Sequence, residues 1–242
     1  MSPSDSAPPS LDTVVLDVDG TLVDSVYQHT MAWAAAFAAV DLVVPLWRAH
    51  RAIGMGGDRF VAEVVGEEAE AEHGDELRKL HDQRFGELLD GVRPLPGAGE
   101  LLDELHRRGF KVVLASSGIP DHTERLLALF DGSRRADDVT TSGDVETSKP
   151  APDLVQFAIE KVGGAQAAVI GDAVWDIAAA NKAGLPSIGL RCGGFGEAEL
   201  LDAGAEAVFA DPQALLDHLD ETLLRRPTGS DDSDDSDNGV KE

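Results

Sequence analysis

Five short apolar runs, at residues 13–17, 111–115, 167–170, 187–190 and 207–209, alternate with longer stretches of helical periodicity. The runs are too short for helices and rich in Val, Ile, Leu and Ala, the pattern of strands buried on both faces. Helical patterns occupy residues 98–108, 120–130, 152–162, 174–183 and 212–224. Several end at Gly or Pro, as in RRGF, KVGG and KAGLP, where Gly supplies the left-handed conformation that closes a helix. Alternating strand and helix predicts an α/β core: a mainly parallel sheet covered on both faces.

One region breaks the rhythm. Residues 26–91 carry helical patterns such as HTMAWAAAFAAV, DRFVAEVVG and DELRKLHDQRFGELLDG, but no convincing buried strand. An insertion directly after the first strand predicts a small helical unit over the carboxyl ends of the strands, where doubly wound folds bind ligands. The expected organisation is a core made of residues 12–25 and 92–225, a helical cap at 26–91, a disordered N-terminus at 1–11 and an acidic disordered tail at 226–242. The tail, PTGSDDSDDSDNGVKE from residue 227, offers little to bury against its self-repulsion.

Charge narrows the partners. Of the net −25, residues 227–242 contribute −5 and residues 1–12 contribute −2, so the body holds −18. Such a surface repels phosphate backbones and anionic headgroups, which argues against nucleic acid and membranes. No apolar run approaches the ~20 residues that span a bilayer, and the N-terminus lacks a signal-peptide pattern, so the expected location is cytoplasmic. Cys192 is the sole cysteine, which excludes an internal disulfide and a cysteine-based zinc site.

Against this background the segment VVLDVDGTLVDS, residues 14–25, places Asp17, Asp19 and Asp24 among apolar residues at the end of a strand. Turn acids are one explanation, since Asp and Gly form turns. Partners at other strand ends suggest a second. The run at 111–115 leads into SSG with Ser116 and Ser117, ETSKPAPDL places Lys149 ahead of a helix, and the run at 167–170 ends in GDAVWD with Asp172 and Asp176. A parallel sheet would deliver all of them to one edge.

Taken together, DVDGTLVDS, LASSG, SKPAPD and IGDAVWDIAAANKAG resemble the four motifs of the haloacid dehalogenase superfamily, in order and across residues 12–225. The insertion resembles the cap of the branch containing phosphoglycolate phosphatases and β-phosphoglucomutases. The resemblance implies a Rossmann-like core, a small phosphorylated metabolite as partner and a Mg²⁺-dependent phosphatase working through an aspartyl-phosphate. It makes Asp17 the nucleophile and Asp19 the general acid and base. Lys149 and Ser116 would bind the phosphate, and Lys149 would also steady the nucleophile. Asp17, Asp172 and the Asp19 carbonyl would hold Mg²⁺, with Asp176 behind them on a metal-bound water or on Lys149.

Other readings attach to the same residues. Asp24 and Ser25 suit a turn or helix cap; Ser117 competes with Ser116; Trp175, Trp33 and Phe37 suit packing; Asp144 and Glu146 suit a solvated loop. Tyr27, His29, Met55 and Arg59 are candidates for selecting the leaving group. His29 lies where the mutases carry a linker histidine, whereas Gly57 stands where they carry a phosphate-binding arginine, with Arg59 close enough to substitute. The alternatives to a phosphatase are therefore a β-phosphoglucomutase-like mutase and a non-catalytic binding protein on the same fold. Lys79, the sole lysine of the insertion, lies in a charged helical pattern, which disfavours Schiff-base chemistry.

Overall fold

The computed structural model describes residues 11–225. The expectations for the N-terminus and the acidic tail fall outside the described residues, except at residue 11. Strands β1 (Thr13–Leu16), β2 (Lys111–Ala115), β3 (Asp138–Thr140), β4 (Ala167–Gly171), β5 (Ser187–Leu190) and β6 (Ala207–Phe209) form one sheet in the order β3-β2-β1-β4-β5-β6. Every pairing is parallel. Leu16 lies opposite Leu114 on one side and Ile170 on the other, so β1, β2 and β4 reach the same edge in register.

The side-chain alternation of β1 explains the layering. Val14 and Leu16 point to a cluster with Leu101, Leu105, Leu126 and Leu215, from helices α5 (Ala98–Arg107), α6 (Pro120–Ala128) and α11 (Pro212–Asp217). Val15 points the other way, to Leu154, Val155 and Ala180 on α8 (Asp153–Lys161) and α9 (Val174–Ala183). Period-two alternation with apolar residues on both faces is what a two-sided parallel sheet requires. Two further short helices, α7 (Gly132–Arg135) and α10 (Glu197–Asp202), close connections at the sheet's margins.

Between β1 and α5 the chain forms α1 (Val26–Ala39), α2 (Leu46–Ala52), α3 (Gly57–Val65) and α4 (Glu67–Leu88). Helix α1 buries Val26, Thr30, Trp33 and Phe37, and α4 buries Gly74, Leu77, His81 and Phe85; both stripes follow helical spacing. Val26, Trp33, Phe37 and Leu77 of these stripes join Phe60, Val61 and Val64 of α3 in an apolar cluster of their own, while Phe85 belongs to the core cluster beneath. The entry and exit of this unit are paired: Asp24 N donates to Arg93 O at 2.9 Å and Leu95 N to Leu22 O at 2.9 Å. The two linkers thereby leave the core side by side.

Several details differ from the pattern-based expectation. Strand β3, α2 and α10 lie outside the predicted elements, because three to seven residues are too few to display a period. The helix expected at 212–224 stops at Asp217, where His218 turns its Nδ1 onto Ala214 O at 2.8 Å. A 3-10 turn, Leu219–Glu221, then carries Leu219 and Leu224 into the core. No described helix is long and apolar enough to cross a membrane.

Candidate active site

In a sheet of this order the connections diverge between β1 and β4, which opens a crevice beyond their carboxyl ends. Asp17 follows β1 there, with its N–H bonded to Ile170 O at 2.9 Å, and Asp172 follows β4. Both carboxylates are buried. Thr21 bridges them, its hydroxyl 2.8 Å from Asp172 Oδ1 and 3.5 Å from Asp17 Oδ2. Gly20 adopts φ +81°, and a side chain there would run into the Asp172 carboxylate, so the tight DGT turn needs glycine.

Lys149 enters the same pocket from the loop before α8. Its ammonium contacts Asp17 Oδ1, lies 2.8 Å from Asp176 Oδ1 and reaches Ala115 O at 3.3 Å. Asp176 also accepts from Ala173 N at 3.0 Å at the start of α9. Burial opposes the charge on Lys149, yet Asp17 and Asp176 hold its pKa above the ordinary lysine value. Burial pushes Asp17 up to about 7, with Lys149 pulling it down and Asp176 and Asp19 adding to the rise. Asp172 is likewise raised well above the carboxylate range, by burial and by the charges of Asp176 and Asp17.

This electrostatic imbalance bears on a metal. Asp17, Asp172 and Asp176 present oxygens within 4.8 Å of one another. One ammonium faces three buried carboxylates, which leaves an excess of negative charge in an all-oxygen setting. Such a donor set fits a hard divalent cation such as Mg²⁺. Cys192, nearby, is held protonated by burial and by Asp172, and its thiol donates to Gly20 O at 3.1 Å.

Asp19 is set apart from this group by its partners. Ser25 Oγ donates to its Oδ1 at 2.6 Å, His29 Nε2 lies 3.0 Å from the same oxygen, and Ser116 Oγ lies 3.3 Å from Oδ2. Burial works against its charge, but His29, Ser25 and Ser116 hold its pKa below the ordinary value. Ser25 precedes α1 without capping it; its hydroxyl serves Asp19 instead. His29 continues through Nδ1 to His81 Nε2 at 3.1 Å, and His81 Nδ1 meets Asp82 Oδ1 at 3.1 Å. The His29 ring stacks on Phe85 at 3.6 Å and His81 on Trp33 at 4.2 Å, which fixes both imidazoles between α1 and α4.

Above these groups lies a cavity of about 270 Å³, floored by Asp17, Asp19 and Ser117 and roofed by cap residues. Of the four leaving-group candidates, His29 and Met55 line it. Tyr27 lies outside that lining, stacked on His50 with ring centres 5.3 Å apart. Arg59 also lies outside it, exposed on α3 and 4.0 Å from Asp58. The cap cation that does line the cavity is Arg78. Ser116 is buried, accepting from Gly118 N at 3.0 Å and Thr123 Oγ1 at 3.2 Å. Ser117 lines the cavity with a buried hydroxyl that has no hydrogen-bond partner. Glu146, read as a solvated-loop residue, lines the cavity as well, while Asp144 closes its own turn on Thr141. Trp175 packs under the cap with its indole N–H 3.2 Å from Arg51 O.

Sequence reasoning did not single out Thr21, Asp58, Arg78, His81, Asp82 or His122. Asp58, Arg78, His81 and Asp82 lie far from any motif, whereas His122 follows LASSG by four residues, and only the 77-81-85 spacing on α4 hinted that His81 faces inward.

The chain matches the model of the haloacid dehalogenase-like hydrolases over residues 11–184. It is similar to the phosphoglycolate phosphatase of Escherichia coli, 31% identical over 212 residues that cover 76% of this chain and 83% of that protein. Its fold is similar to a hydrolase from Pseudomonas syringae, at a TM-score of 0.83 and 38% identity, covering 87% of this chain and 98% of that one. It is also similar to a haloacid dehalogenase family hydrolase from Deinococcus radiodurans crystallised with phosphate and sodium, at a TM-score of 0.66 and 26% identity, covering 90% and 99%. With the parallel sheet, the carboxylates at its β1–β4 crevice and the helical insertion above them, this chain belongs to the haloacid dehalogenase-like hydrolase family.

Proposed function

We propose that the protein hydrolyses a small phosphate monoester in two displacements, with Asp17 as nucleophile. The observation that carries this reading is the placement of two carboxylates in opposed environments: Asp17 against the Lys149 ammonium, and Asp19 against His29 at the floor of the cap cavity. Asp17 attacks phosphorus while the P–O bond to the leaving alcohol breaks, and Asp19, ionised at rest, relays to that oxygen a proton taken from His29 Nε2, 3.0 Å away. Water then attacks the aspartyl-phosphate, Asp19 takes the water's proton, and the Asp17 carboxylate returns as inorganic phosphate leaves. Lys149 keeps Asp17 oriented and neutralises phosphoryl charge. Ser116 reaches the phosphate by releasing its 3.3 Å contact with Asp19, and the unpartnered Ser117 hydroxyl lies beside it. The Asp17 and Asp172 carboxylates and the Asp19 carbonyl would hold Mg²⁺, with Asp176 behind them on Lys149; when bound, the ion supplies charge neutralisation at the phosphoryl oxygens.

The phosphatase name of the Escherichia coli relative and the phosphate bound in the Deinococcus radiodurans structure support this reading. The position of His29 on Asp19 is the feature shared with the mutase alternative. A mutase must also hold a second phosphate in its cap, and neither cap arginine near the site is free for it. Arg59 lies outside the cavity, and Arg78 is engaged by Glu70 and Asp75, each at 2.8 Å. A cap with no cation free for a second phosphate favours hydrolysis over phosphate return.

The test is phosphate release from small monoesters in Mg²⁺ by wild type and by Asp17→Asn. The substitution is expected to remove at least 10³-fold of kcat/KM with an unchanged circular dichroism spectrum. Wild-type turnover by folded Asp17→Asn would remove the nucleophile assignment. Isomerisation of β-glucose 1-phosphate outpacing phosphate release would replace the phosphatase by the mutase.

A further inference from the structure

We infer that the alcohol released by this enzyme is uncharged and hydroxyl-rich, and that esters whose leaving group bears a carboxylate or a second phosphate are poor substrates; the inference rests on the monoester-hydrolysis reading above. The walls of the cavity carry it. Above the catalytic floor, three carboxylates face the space a leaving group must occupy: Asp58 of α3, Asp82 of α4 and Glu146 of the loop before Lys149.

The cations that might balance them are already engaged. Arg78 is the one Arg or Lys among the cavity-lining residues described. Its Nη1 donates to Glu70 at 2.8 Å and to Gly57 O at 3.1 Å, and its Nη2 to Asp75 at 2.8 Å, so two carboxylates outside the cavity neutralise it. Arg59 approaches Asp58 only to 4.0 Å from the exposed side, a geometry in which water screens most of the attraction. Two of the three lining histidines are held toward their neutral form, and the third is committed to the catalytic floor. Burial lowers His81 to about 4 and holds His122 below its ordinary value. His29 has both ring nitrogens engaged, one on Asp19 and one on His81.

An anionic leaving group would therefore meet three like charges and no uncommitted cation. Inside a partly desolvated cavity that repulsion is stronger than in bulk water. Hydroxyl groups meet the opposite situation, because ionised carboxylates are acceptors without donors of their own. Ile53 and Met55 supply apolar wall for the carbon skeleton of a polyol. Phosphoglycolate, the substrate in the name of the Escherichia coli relative, carries a carboxylate on its leaving group and fits this lining poorly.

Matched pairs isolate the charge. With Mg²⁺ present, kcat/KM is measured for 2-hydroxyethyl phosphate against 2-phosphoglycolate, and for glycerol 3-phosphate against 3-phosphoglycerate, with p-nitrophenyl phosphate as a generic ester. Each uncharged member is expected to exceed its carboxylate partner at least tenfold. Joint substitution Asp58→Asn and Glu146→Gln is expected to narrow that ratio at least threefold. Hydrolysis of the generic ester with phosphoglycolate or phosphoglycerate equal to or above its partner overturns this inference alone, as does a ratio the double variant leaves unmoved. Absence of phosphate release from every ester, the generic one included, overturns the hydrolysis reading and the inference together.

Discussion

Lys149 Nζ lies 2.8 Å from Asp176 Oδ1, and both side chains are buried. Asp176 thus anchors from behind the cation that faces Asp17. Removing one member of a buried ion cluster leaves the others uncompensated, which costs about 3–5 kcal/mol where no other cation takes over. Lys149→Met is expected to lose at least a hundredfold in kcat/KM and to lower the melting temperature measured in EDTA. Added Mg²⁺ should recover part of the stability by neutralising the carboxylates, while activity stays low. Wild-type melting of the variant in EDTA would show that the cluster is not held together by Lys149.

Crowding of Asp17, Asp172 and Asp176 within 4.8 Å leads to a prediction about metal itself. Hydrolysis is expected to stop on chelation and to return with Mg²⁺. Ca²⁺ should inhibit in competition with Mg²⁺, because its larger and more flexible shell tolerates bidentate carboxylates and would turn Asp17 away from attack. Calorimetric titration of Mg²⁺ into wild type and Asp172→Asn checks the ligand set without relying on turnover, with binding at least tenfold weaker in the variant. Full activity in EDTA would remove the metal from the reaction.

The outcome of sequence reading divides along a physical line. The core was legible because Val14, Val15 and Leu16 must satisfy two buried faces at once, and few other folds accept that pattern. Asp17, Lys149 and Asp172 were legible because each sits where a strand or loop meets the sheet edge, within a motif of local sequence. The cavity walls were legible only in part, at His29 and Met55. Arg59 stands two residues from Gly57, but the turn of α3 places it outward, while Arg78, on another helix and 21 residues from Gly57, donates to that residue's carbonyl. Helix phase and helix-to-helix packing decide such positions, and neither is written in a short window.

His81 gives a pH-dependent stability with a definite sign. Burial lowers its folded pKa from 6.5 to about 4, so between those values the unfolded chain binds a proton that the folded protein refuses. The contribution is therefore neutral above pH 6.5 and destabilising as pH falls toward 4, by about 3 kcal/mol at the acid end. His81→Gln removes the titration. Urea midpoints at pH 7 and pH 4 are expected to fall less in the variant than in the wild type, whatever the variant's stability at pH 7. Equal falls would show that His81 takes its proton freely in the folded state.

Gly193 offers the sharpest separation of site geometry from stability. It ends the turn Arg191–Gly193 after β5, and a Cβ built on it would occupy the position of the Asp172 carboxylate. Its φ lies outside the left-handed region, so alanine meets no backbone strain there; the three atoms nearest to its methyl group all belong to Asp172. Gly184, the C-cap of α9, is the complementary case: its φ of +72° penalises alanine, while the space around it is open. Gly184→Ala is expected to cost about 1–2 kcal/mol of stability and to leave the Mg²⁺ requirement unchanged. Gly193→Ala is expected to raise the Mg²⁺ concentration for half-maximal hydrolysis at least tenfold, with partial recovery of rate at high Mg²⁺. Melting curves and Mg²⁺ titrations of both variants read the two effects independently. A Gly193→Ala protein with the wild-type Mg²⁺ requirement would show that displacing Asp172 costs nothing in Mg²⁺ use, and would remove it from the proposed metal ligands.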